Sequence, residues 1–131
     1  MDICVPVSAG ECLDKITILE IKAVQIKDAA KLVNIIHELK ILRDICAKSL
    51  PKEIDISVEM AELKSINEAL WQIEDDIRDK ECAGEFGQHF IDLARSVYFT
   101  NDKRAEIKRL LNEKLGSELV EEKSYTNYRS K

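Results

Sequence analysis

At 131 residues the chain has the length of one domain, enough to bury roughly two-thirds of the surface its unfolded form exposes. Apolar residues make up 45% and charged residues 34%, which excludes a disordered chain, and no apolar run approaches the roughly 20 residues a bilayer-spanning helix needs. The net charge of −5 argues against a nucleic-acid surface, because binding phosphates requires uncompensated Lys and Arg.

The first seven residues, Met1-Asp2-Ile3-Cys4-Val5-Pro6-Val7, lack both a basic n-region and a sustained apolar stretch. They read as a short N-terminal extension without a secretory signal, and a cytoplasmic location is expected. Ser8-Ala9-Gly10-Glu11 has the S-x-x-E form of a capping box, so a first helix should begin here. Projected at 100° per residue, Cys12, Ile16, Leu19, Ala23 and Ile26 share one face, while Leu13, Ile18, Ile21 and Val24 lie around the rest. A helix so patterned is covered on more than one side.

Near Asp28 the pattern restarts. Leu32, Ile35, Leu39, Leu42 and Cys46 recur at 3-4-3-4 spacing and stop before Pro51, giving a second helix that is either separate or continuous with the first through a kink, since nothing from Lys27 to Lys31 forbids helix. Lys52 to Ser57 reads as a connection with Ser57 as the N-cap of a third helix. In that helix Leu63, Ile66, Leu70, Ile73 and Ile77 form the cleanest apolar stripe in the chain, and Trp71, off the stripe, fills a second interface or anchors a partner. Ala83-Gly84-Glu85-Phe86-Gly87 is a turn bracketed by glycines. Beyond it, Phe86, Phe90, Leu93 and Val97, then Ile107, Leu110, Leu111 and Leu115, continue to a Gly116 C-cap.

A straight helix from Gln88 to Leu115 would turn Thr100 and Arg104 toward the core. A buried unpaired arginine is prohibitively costly, so either Asn101 caps a fresh helix and rotates Arg104 outward, or Arg104 meets an acidic or anionic partner in a polar pocket. Residues 117–131 form a polar tail, disordered at its end or docked along the bundle. The expected fold is therefore all-α: one domain over residues 1–131, an antiparallel bundle of three to five long helices with spectrin-like, coiled-coil-type packing.

Three stretches together resemble a known family. They are Ser8 to Glu11 running into Leu13-Asp14-Lys15-Ile16-Thr17-Ile18-Leu19-Glu20-Ile21-Lys22; Leu70-Trp71-Gln72-Ile73-Glu74-Asp75-Asp76-Ile77-Arg78; and Leu93-Ala94-Arg95-Ser96-Val97-Tyr98 through Asn101-Asp102-Lys103-Arg104-Ala105 and Ile107-Lys108-Arg109 to Glu121-Glu122-Lys123-Ser124-Tyr125. The family is a bacterial domain of unknown function whose members often sit near genes for cell-envelope polysaccharide. The resemblance implies that Lys15, Glu20, Lys22, Glu74, Asp75, Arg78, Arg95, Tyr98, Asn101 and Arg104 are ligand-binding candidates. Should they converge, they suit a phosphate- or carboxylate-bearing small molecule; the plainer reading is that Lys15, Glu20 and Lys22 flank the apolar arc of the first helix with their charges solvated.

Other chemistries find little support. The four cysteines, at 4, 12, 46 and 82, lack Cys-x-x-Cys spacing, and three sit in apolar helical settings, so they read as buried free thiols and not as zinc ligands. Glu59 and Glu62 make an ExxE pair, but Asp76 and Asp79 lie over ~20 Å further along the same helix, too far to share a magnesium ion. His37 and His89 have no neighbouring nucleophile. The basic run from Lys103 to Arg109 reads as a solvated helix face. No metal or other cofactor, no nucleic acid and no membrane is expected. The functional expectation is a non-catalytic helical interaction module, a homodimer or an accessory to a protein partner, linked through the family resemblance to cell-envelope polysaccharide metabolism. The alternative is a small-molecule enzyme or sensor for an anionic metabolite, with Arg95 and Arg104 as anchors and Glu74 or Asp75 as candidate base.

Overall fold

The computed structural model describes residues 1–129; the last two positions of the polar tail lie outside the described residues. Four helices follow one another: α1 (Ala9–Gln25), α2 (Ala29–Ser49), α3 (Ser57–Ala83) and α4 (Gln88–Leu115). The expected all-α bundle is present, and no helix among the described residues is long and apolar enough to cross a membrane.

The helix ends follow local chemistry. Ser8 caps α1 by accepting from the Glu11 amide at 3.1 Å. The reciprocal half of the capping box does not form, because Glu11 turns instead to Lys108, 2.5 Å away on α4. At the other end of α1, Ile26 is extended, and Asp28 opens α2 by accepting from the Lys31 amide at 3.0 Å. An aspartate that caps a new helix cannot also continue the old one, which settles the choice between one kinked helix and two. Ser57 is not the cap of α3. Ile56 holds that place without a side-chain bond, and Asp55 accepts from the Ser57 amide at 2.9 Å. Gly116 ends α4 at φ 66, and the Ser117 amide donates to the Asn112 carbonyl at 2.9 Å, the Schellman arrangement that a residue with a Cβ enters only under strain.

α1 is the axis of the molecule. It packs against α2, α3 and α4, α3 packs along α4, and among the described residues the backbone of α2 packs closely against that of no helix other than α1. Cys12, Leu13, Ile16 and Leu19 of α1 meet Ile35, Leu39 and Cys46 of α2, Leu63 of α3, and Ile107 and Leu111 of α4. Leu63 and Leu111 are fully enclosed, each stabilising the fold by about 1.5–3 kcal/mol on hydrophobic transfer alone. Ile21 is buried too, so the expectation of a first helix covered on more than one side holds.

At 17 and 28 residues, α1 and α4 are about 25 Å and 42 Å long, so α1 cannot cover the whole α3–α4 hairpin. From Glu68 to Glu106 no residue is fully buried, although the stripes Leu70, Ile73, Ile77 and Phe90, Leu93, Val97 run through this stretch, and Trp71 is only half-buried. The far part of α3 and α4 is thus an arm of two helices. One cysteine departs from expectation for this reason: Cys12 and Cys46 are buried, but Cys82 stands on the arm and is exposed, as is Cys4.

Candidate functional site

Asp14 is the most deeply buried charged side chain in the core. It lies on α1 in helical phase with Thr17 and Ile21, three and seven residues on, and all three are buried. A carboxylate withdrawn from water requires partners, and three elements supply them. Asn67 on α3 donates through Nδ2 to Asp14 Oδ1 at 2.8 Å and to Thr17 Oγ1 at 2.8 Å. Thr17 Oγ1 in turn donates to the Asp14 carbonyl at 2.7 Å. Arg104 on α4 donates from Nε to both carboxylate oxygens, at 3.0 and 3.1 Å, and from a terminal nitrogen to Oδ2. Lys108, one turn further, bonds Glu11 and lies 4.0 Å from Asp14 Oδ2.

α4 therefore runs unbroken through Asn101, and the sequence dilemma resolves toward an acidic partner for Arg104. Hydrogen bonding to Asp14 holds the Arg104 proton more tightly than usual, with burial opposing and the charge of Glu11 assisting. Where α1 begins, the two helices touch backbone to side chain: the Gly10 amide donates to Asn112 Oδ1 at 2.6 Å. A Cβ at Gly10 would fall 2.6 Å from the Lys108 carbonyl oxygen and 2.9 Å from Asn112 Oδ1, so only glycine fits this crossing.

The tail docks along α4 as a strap. Ser117 Oγ accepts from the Ala9 amide at 3.2 Å, and Glu121 accepts from Ser8 Oγ and, at 3.2 Å, from Asn112 Nδ2. Both oxygens of Glu122 lie 2.9 Å from one terminal nitrogen of Arg109. Lys123 and Tyr128 both donate to Asp102, and the rings of Tyr98, Phe99 and Tyr128 meet at 4.8–5.3 Å between centroids. Burial raises the Glu121 carboxyl, but donation from Ser8, its own backbone amide and Asn112, with the charge of Lys108, outweighs it, so the group is held below the usual range. Asp102 is held low chiefly by Lys123, then by Tyr128.

Between α4 and the strap lies a cleft of about 290 Å³ lined by Asn101, Arg104, Lys108, Arg109, Asn112, Lys123 and Tyr125, with Glu121 and Glu122 from the strap. It is bordered by a larger hollow of about 650 Å³ that shares Arg109, Lys123 and Tyr125 and adds Tyr98 and Asp102. In a chain of net negative charge, the smaller cleft places four cations against two carboxylates. Among the described residues no group of three or more His, Cys, Asp or Glu side chains is placed to hold a metal ion.

Only part of the sequence-predicted set meets here. Asn101 and Arg104 line the cleft and Tyr98 the adjoining hollow. Arg95 instead covers the Phe99 ring at 5.5 Å. Glu20 pairs with Arg43 at 3.1 Å and approaches Lys64 at 3.9 Å. Lys15 is exposed and Lys22 half-buried. Glu74 and Arg78 pair with each other on an open face of the arm, 3.2 Å apart, and Asp75 is exposed beside them. The structure thus sets Lys15, Glu20, Lys22, Glu74, Asp75, Arg78 and Arg95 apart from the cleft, because Glu20 turns to Arg43 and Lys64 and Lys15 to solvent, Arg95 to the Phe99 ring, and Glu74 to Arg78 fall on the uncovered arm.

Sequence reading left out Asp14, Asn67, Lys108, Arg109, Asn112, Glu121, Glu122 and Lys123 as site residues. A signal was there for two of them: Asp14 and Asn67 lie in phase with buried apolar neighbours, where a solvated side chain does not belong. Glu121 had none, since its role depends on where the tail docks. A search of curated proteins and a search of solved structures each found no match to this chain. The model of one family spans residues 3–131, which takes in every element of the bundle, the cleft and the strap, and the chain belongs to that family, the family of unknown function DUF6165.

Proposed function

We propose that the protein is a non-catalytic binding module for a small phosphate- or carboxylate-bearing molecule held in the cleft between α4 and the strap. The observation that carries this reading is the convergence of Arg104, Lys108, Arg109 and Lys123 on one concavity. Arg104 is anchored by Asp14 through Nε and one terminal nitrogen, and a guanidinium carries five N–H donors, so donors are left over on a side chain whose orientation is already fixed. Such preorganisation favours a planar or tetrahedral anion. Glu121 and Glu122 occupy the positions an incoming anion would take. The polysaccharide setting that the family resemblance implies makes phosphosugars the first compounds to try.

A thermal-shift and calorimetric screen of phosphosugars, nucleotides and inorganic phosphate tests it. A hit is expected to weaken about 10–100-fold in Lys108→Met, the range for losing a charge-assisted hydrogen bond, and to strengthen in Glu122→Gln, which removes the competing carboxylate. A hit unaffected by both substitutions would place the ligand elsewhere, and no hit across the screen would end the proposal.

A second reading rests on the arm. Leu70, Ile73, Ile77, Phe90, Leu93 and Val97 are left half-covered, with Phe86, Ile91 and Tyr98 exposed beyond them. A second copy presenting the same two-helix face would complete a four-helix layer by a two-fold axis, which fits the expectation of a homodimeric interaction module. Light scattering is expected to give a dimer that Leu93→Glu converts to a monomer with its helix content intact; a wild-type monomer at high micromolar concentration removes this reading.

A further inference from the structure

The sulfurs of Cys12 and Cys46 face each other across the α1–α2 interface, 2.7 Å apart, about 0.7 Å beyond the ~2.05 Å of a disulfide bond. Both residues are buried, at 8% and 9% exposure, within the apolar cluster that includes Leu13, Ile16, Ile35 and Leu39. We propose that Cys12 and Cys46 are a reversible dithiol–disulfide site, oxidised by a hydroperoxide, whose closure fastens α2 to the bundle.

The two thiols differ in kind. The hydrogen bond between the two sulfurs lowers Cys12 to about 7, with burial opposing and the charge of Lys15 assisting; the same bond, with burial, pushes Cys46 up. Cys12 lies in the first turn of α1, where the helix N-terminus favours a thiolate, and Cys46 in the last turn of α2, where the C-terminus disfavours one, so Cys12 is the nucleophile, the thiolate being the reactive form, and Cys46 is the resolving thiol. Cys12 sulfur attacks one peroxide oxygen, the O–O bond breaks, and the departing alkoxide takes a proton to become an alcohol, leaving a sulfenic acid on Cys12. Cys46 sulfur then attacks the Cys12 sulfur, the S–S bond forms and the sulfenic hydroxyl leaves as water with the Cys46 proton. In total, two thiols and a hydroperoxide give a disulfide, an alcohol and water, and a small dithiol reverses the change.

Among the described residues the backbone of α2 packs against that of α1 and of no other helix, so α2 is the element most readily detached, and its local opening admits the oxidant to the buried sulfurs. A bond between residues 34 apart would restrict that opening and constrain the unfolded chain. The site lies on the α1–α2 side and does not depend on a ligand in the α4 cleft.

The test uses the full chain carrying Cys4→Ser and Cys82→Ser, which removes the two exposed thiols. Titration with hydrogen peroxide is expected to consume the remaining two thiols together, to join the Cys12 and Cys46 peptides in a non-reducing map, and to raise Tm by on the order of 10 °C, all reversed by dithiothreitol. In Cys46→Ser, verified as folded by circular dichroism, Cys12 is expected to accumulate as a sulfenic acid that a 1,3-diketone probe labels. The proposal is overturned if both thiols survive millimolar peroxide in the folded protein, if Cys12 advances to sulfinic acid while Cys46 stays reduced, or if disulfides form between molecules only.

Discussion

Asp14→Ala is expected to destabilise the protein by about 3–5 kcal/mol, the range for removing one partner of a buried ion pair, and to lower Tm by on the order of 15 °C. The size follows from what is stranded. Arg104 loses the carboxylate that holds its Nε and a terminal nitrogen, and Asn67 keeps only the Thr17 hydroxyl of its two acceptors. Arg104→Met should also be strongly destabilising, because it leaves Asp14 buried and charged with Asn67 and a lysine 4.0 Å away. The two changes together should cost less than their sum, with a coupling of about 2–3 kcal/mol in a double-mutant cycle. Glu74→Ala sets the scale, since an exposed i,i+4 pair contributes only about 0.3–0.5 kcal/mol. Chemical denaturation of the four variants decides the matter. Single-mutant losses below about 1 kcal/mol would mean that the buried network does not hold the helices together.

The second large effect is at Gly10. In most helices Gly→Ala stabilises by roughly 0.5–1 kcal/mol, because glycine is the more flexible residue in the unfolded chain. Here the sign should reverse. The new methyl would meet the Lys108 carbonyl oxygen at 2.6 Å, and a helix backbone cannot swing aside as a side chain can. α1 and α4 must move apart, stretching the bond from the Gly10 amide to Asn112 and loosening Leu111 at the centre of the core. Overpacking costs typically 1–3 kcal/mol, which outweighs the gain in propensity, so a net loss of about 1–2 kcal/mol is expected in urea denaturation. An unchanged or raised midpoint would show that the crossing is looser than these distances imply.

Both sites lie at contacts between segments some ninety or more residues apart, and this is where sequence reading thinned out. Arg104 announced itself, because an arginine in the phase of Val97, Ile107 and Leu111 demanded an explanation, but the chain alone left two open. The partner could not be named, since Asp14 is one carboxylate among 25 acidic residues and its helical phase becomes decisive only once α1 is known to be enclosed on three sides. Glu74, Asp75 and Arg78 looked equally suited to a site. Nothing local distinguishes a charged patch on a covered helix from one on an arm that α1 is too short to reach.

What the polypeptide determined unaided is therefore what local chemistry controls: where helices run, from the spacing of Ile35, Leu39 and Leu63, Ile66, Leu70 and their like, where the first begins, from Ser8, and where several stop, from Pro51, Gly84 and Gly116. Those signals depend on neighbours within a turn or two, so they survive without a fold. The pairing of Asp14 with Arg104, the close seat of Gly10, the meeting of Cys12 with Cys46 and the docking of Glu121 and Glu122 over the cationic cleft were decided by tertiary structure. Each depends on two distant segments being desolvated against one another, and a charge or a thiol acquires its partner only when water has been excluded from the space between them.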